Sequence, residues 1–102
     1  MVLDIEQYPA LMSIFIMCKK EPTGKLRYVK RKLSYLNANI KETLECNLSD
    51  KAKLAFLKMQ KKDAIEGIGN STLTGDLATH MNNVINTLFK IASNKILNSN
   101  RL

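Results

Sequence analysis

His80 is the single histidine of the 102-residue chain, and Cys18 and Cys46 are its two cysteines. Metal, nucleophilic and acid–base chemistry need such groups in sets. A zinc site takes three or four ligands at short spacing, and a nucleophile needs a base within hydrogen-bond reach. Cys18, Cys46 and His80 stand at no ligand spacing from one another, and the nine carboxylates are scattered along the chain. His80 falls at the margin of an apolar helical face, where a lone histidine serves structure. The two cysteines read as free thiols in a reducing compartment, since a secreted chain this small would carry more bridges. The chain is therefore expected to be no enzyme and to use no metal and no cofactor.

Two short motifs bear on binding chemistry. GIGNSTL (67–73) resembles the tail of a phosphate-binding loop, but Asn70 stands where the lysine should be and the preceding segment reads as helix rather than strand. Gly67 or Gly69 serves better there as a helix C-cap, with Ser71, Thr72 or Thr74 as the next N-cap. A helix-turn-helix could be sought in residues 61–84. Its turn glycine falls at the wrong offset, and its second helix carries no Lys or Arg before Lys90, whereas base readout and phosphate contact want such groups.

What remains is ionic chemistry. Sixteen basic residues face nine acidic ones, for a net charge of +7. That balance favours polyanions: nucleic acid, an acidic protein or an anionic surface. The charge is also segregated. Residues 19–32 hold seven basic groups and one acid, Glu21; residues 51–62 hold five lysines and no acid; residues 63–89 hold three acids and no Lys or Arg. In KLRYVKRKLSYLNANI (25–40), Arg27, Lys30, Arg31 and Lys32 accompany Tyr28 and Tyr35, which lie seven apart. Cations beside outward-facing rings suit a nucleic-acid strand, the charges meeting phosphates and the rings stacking on bases. Lys51, Lys58 and Lys62, at spacings of seven and four, form a second strip that could join the first if the two helices are neighbours. Charged helix faces also serve simple solvation.

The elements that would position these groups are helices. Composition is globular, with 45% hydrophobic and 25% charged residues, and the length suits one domain, here 1–102. Breakers at 21–24, 47–50 and 67–75 separate four apolar-patterned stretches, expected as helices over about 9–20, 25–46, 50–66 and 74–97. The first is apolar on every side, with Pro9 placed as a first-turn residue. In the second, Leu26, Val29, Leu33, Leu36, Ile40 and Leu44 fall within about 80° at roughly 100° per residue, a narrow seam suited to an antiparallel hairpin or a dimer. The third follows Ser49, a good N-cap, and carries two apolar stripes: Ala52, Ala55, Phe56 and Met59 on one side, Leu54, Leu57, Ala64 and Ile65 on the other. The fourth has a broad face of Leu77, Met81, Val84, Ile85, Leu88, Phe89, Ala92 and Ile96. Its back is neutral, with Thr79, Asn82, Asn83 and Asn86.

The fold expected is all-α: a small antiparallel bundle of about four helices that self-associates through Leu11, Phe15, Leu33, Leu36 and Ile40. No apolar run reaches membrane-spanning length, and Asp4 and Glu6 stand where a signal peptide would be basic, so an intracellular, cytoplasmic protein is expected. The Lys- and Asn-rich composition associates with AT-rich coding, as in a low-GC bacterium, a phage or a virus; the last two would place it in an infected host cell. The function expected is low-specificity nucleic-acid binding through the phosphate backbone, DNA or RNA. The alternatives are a phage- or plasmid-type inhibitor, adaptor or immunity protein that docks on an acidic partner, and a coat or scaffold subunit.

Overall fold

The computed structural model describes residues 23–73 and 75–99. Three helices make up nearly all of it: α1 (Thr23–Glu45), α2 (Asp50–Gly69) and α3 (Gly75–Ser99), with no strand among the described residues. The stretch 9–20, with Leu11 and Phe15, lies outside the described residues, as does Thr74.

Periodicity explains each helix, and local chemistry explains its ends. The α1 seam points inward: Val29, Leu36 and Ile40 are buried, and Leu33 and Leu44 pack partly buried against them. Leu36 and Ile40 are thus enclosed by their own chain, so the narrow seam closes intramolecular packing and offers these two to no second copy. Ser49 begins α2 as expected: its backbone is extended, and its side chain accepts from the Ala52 N–H at 3.2 Å.

The end of α2 departs from expectation. Neither Gly67 nor Gly69 is the C-cap. The turns continue to Gly69, and Asn70 caps them, its N–H donating to the Glu66 carbonyl at 3.1 Å. Buried Ile68 explains the extra turn, because it adds apolar contact beyond both Gly67 and the expected end at Glu66. Ser71 then fastens the connection. Its hydroxyl donates to the Ile68 carbonyl at 2.7 Å and accepts from the Leu73 N–H at 3.1 Å, holding Leu73 in the core.

α3 is the central element. All eight residues of its expected apolar face are buried, and α2 packs most closely against it while α1 lies across both. Leu57, Ala64 and Ile68 supply the α2 side of that core. The other α2 stripe is open: Ala55 is exposed, and Phe56 and Met59 keep 43% and 54% of their surface. Of the two apolar stripes visible in the sequence, the one that holds Leu57 and Ala64 meets the core.

Candidate nucleic-acid interface

α1 turns its outer face away from the core over its first half. Arg27 and Arg31, one turn apart, are exposed, and Tyr35, one turn further, keeps 64% of its surface. Lys30 is exposed beside them. Ser34 and Ala38, on the same side, are short and exposed. The first turn of α1 holds no acid and the last turn no base, so the helix carries its cations at the end where its own dipole is positive. That order opposes helix stability.

The two tyrosines part company. Tyr28 is half-buried and packs against the core, while Tyr35 is open. Tyr28 can lay its ring on apolar neighbours while its hydroxyl reaches water. One ring, not two, is thus fully presented beside the arginines.

Lys32 also leaves the group. It reaches across to α2, where a Cβ built on Gly67 would stand 2.9 Å from its Nζ. The absence of a side chain at Gly67 is what admits the ammonium. Lys53 is diverted likewise, donating from Nζ to the Leu44 carbonyl at 2.9 Å.

Lys51, Lys58 and Lys62 are all exposed, but they do not extend the α1 strip. The α2 positions that meet α1 are Lys53, Gln60 and Gly67, through Leu44, Thr43 and Lys32 respectively. At about 100° per residue, Lys51, Lys58 and Lys62 centre roughly opposite that contact line. Exposed Asp63 and Glu66 also intervene on α2, near the level of Tyr35 set by the Thr43–Gln60 and Lys32–Gly67 approaches. There are two basic strips on two faces rather than one groove wall.

The chain matches no protein-family model, and no curated protein or solved structure matches it either. Function therefore rests on the residues themselves. Among the described residues no three His, Cys, Asp or Glu side chains converge as a metal site would need, and no helix is long and apolar enough to cross a membrane. His80 is exposed rather than lodged at the core margin.

A second surface lies between the end of α1 and α2. Leu48, in the α1–α2 connection, is 46% exposed and lines a small groove with Phe56, Thr43 and Gln60. Met59 lies one turn further along α2, in an open depression with Ala55 and Lys58. The surplus apolar stripe of α2 was the available signal.

Proposed function

We propose that the protein binds nucleic acid through the outer face of α1, contacting phosphates with little sequence preference. Arg27, Arg31 and Lys30 supply the charge, and Tyr35 offers a ring for an unpaired base. The observation that carries this reading is the exposed run Arg27, Arg31 and Tyr35, spaced one turn apart on the side of α1 turned from the core. A solvated face needs charge, but not an aromatic ring left 64% open beside it. Lys51, Lys58 and Lys62 add to the long-range field that steers a polyanion, from a different face.

The same reading retains a non-enzymatic, intracellular accessory protein, a fourth helix over residues 9–20 that completes the bundle, and self-association. With Leu36 and Ile40 enclosed within the chain, self-association would use other surfaces.

The test is fluorescence anisotropy of labelled single- and double-stranded oligonucleotides across a salt series. Sub-micromolar binding near physiological salt that falls steeply as salt rises supports the reading. Binding confined to very low salt, or unaltered when Arg27 and Arg31 are both neutralised, overturns it.

A further inference from the structure

The outer face of α1 changes sign along its length. Opposite buried Val29, Leu36 and Ile40, the charged side chains Arg27, Lys30 and Arg31 come before Tyr35, and Lys41, Glu42 and Glu45 come after it; all six are exposed. Three cations thus stand on the first half, and one cation with two acids on the second. Lys41 can offset one of those acids but not both. On the α2 side, exposed Asp63 and Glu66 stand near the level of Tyr35, while Lys53 is committed to the Leu44 carbonyl and Lys32 is turned to Gly67. The remaining α2 lysines, Lys51, Lys58, Lys61 and Lys62, lie away from the line of contact with α1.

A stiff polyanion cannot use half of such a face. α1 is one helix of 23 residues, about 34 Å long, so Glu42 is fixed about 10 Å beyond Tyr35 and about 16 Å beyond Arg31. A duplex is stiff over about 150 base pairs and carries one charge for about every 1.7 Å of its axis. Laid along α1, it would press phosphates on Glu42 and Glu45 as well as on the arginines. Laid across α1 with one phosphate row on the arginines, its other row would fall about 12 Å away over a major groove, in the half that holds both acids. A single strand turns freely between nucleotides. It can meet Arg27 and Arg31, set one base on Tyr35 and leave the helix there.

We infer that Glu42 and Glu45 are specificity-determining residues, through which the α1 face selects single-stranded nucleic acid and turns duplex away. The inference rests on the nucleic-acid reading of α1 and adds to it the substrate class and the groups that set it. Both acids act by repulsion, so selectivity comes from a cost placed on the wrong form rather than from a further contact to the right one. Two acids near the C-terminal end of α1 also work against the helix dipole, so helix stability does not account for them.

The experiment compares a labelled mixed-sequence single strand with the duplex of the same sequence, each titrated with the full chain at one salt concentration and read by fluorescence anisotropy. The parent should bind the single strand about tenfold or more tightly. Glu42→Gln with Glu45→Gln should raise duplex affinity about threefold or more and leave the single strand nearly unchanged, with the gain fading as salt rises. Both positions are exposed, so the variant should keep the helical signal of the parent. A parent that binds duplex as tightly as single strand overturns the inference while nucleic-acid binding stands. The same holds for a glutamine pair that leaves duplex affinity unmoved, or that raises both forms alike. Binding of neither form by the parent overturns the nucleic-acid reading, and this inference with it.

Discussion

Gln60 donates from Nε2 to the Thr43 hydroxyl at 3.1 Å, and that hydroxyl donates in turn to the Asn39 carbonyl at 3.0 Å. This is one polar tie between α1 and α2. Thr43 is 8% exposed, so the link sits where water competes poorly. Close by, the Lys53 ammonium donates to the Leu44 carbonyl and satisfies one of the orphan acceptors at the end of α1. A base supplied by the next helix thus does what no base in the last turn of α1 does.

Replacing Thr43 by Val keeps the shape and removes the hydroxyl, leaving the Gln60 amide without its acceptor. Urea unfolding should show a loss of about 1–2 kcal/mol, the range for a half-buried hydrogen bond broken on one side. A double-mutant cycle with Gln60→Ala should return a coupling of about 0.5–1.5 kcal/mol. Additive single effects would mean that the two side chains do not interact in solution.

Two glycines should respond with opposite signs. At Gly67, inside α2, alanine gains helix propensity of up to about 1 kcal/mol. Its Cβ would crowd only the Lys32 Nζ, the far end of a flexible side chain that can swing aside. Gly67→Ala is therefore expected to raise the melting temperature. Gly75 opens α3 with φ of +59°, where a Cβ is strained although nothing lies within 4 Å of it. Gly75→Ala should lower stability by about 1 kcal/mol or more. A thermal melt of each variant decides the pair, and the same sign for both would contradict one of these backbone assignments.

How far the sequence could be read depends on how lopsided each helix is. In α3 the apolar residues crowd one broad face, and every residue assigned to it is buried. In α1 the seam is narrow but unambiguous, and Val29, Leu36 and Ile40 reach the core. In α2 the hydrophobicity is divided, and periodicity has no means of ranking Leu57 above Phe56; the partner helix makes that choice. The same limit applied to the site. Exposure of Arg27, Arg31 and Tyr35 follows from the α1 seam. The diversion of Lys32 to Gly67 and of Lys53 to Leu44 needs a neighbouring helix in place, and so does the separation of Lys58 and Lys62 from α1. This ranking is itself testable. Leu57→Ala should destabilise by about 2–5 kcal/mol, as a buried leucine does. Met59→Ala should stay within about 0.5 kcal/mol of the parent, as an open surface residue does. Comparable losses at both positions would place both α2 stripes in packed surroundings.

The two basic strips should separate cleanly in a salt titration. Each phosphate neutralised adds about 0.9 to the slope of log affinity against log salt on duplex, and about 0.7 on a single strand. Arg27→Gln with Arg31→Gln should thus flatten the slope by roughly 1.4–1.8 and weaken all sequences alike. Lys58→Gln with Lys62→Gln removes the same charge from the other face. If phosphates meet only α1, that pair should slow association through the weakened field while leaving the slope nearly intact. Tyr35→Ala should lower single-strand affinity by about 1–3 kcal/mol and spare the duplex, because only an unpaired base can stack on the ring. Equal slope losses from the arginine and lysine pairs would mean that the bound strand wraps from one face to the other, and the contact would then have to be redrawn across α2.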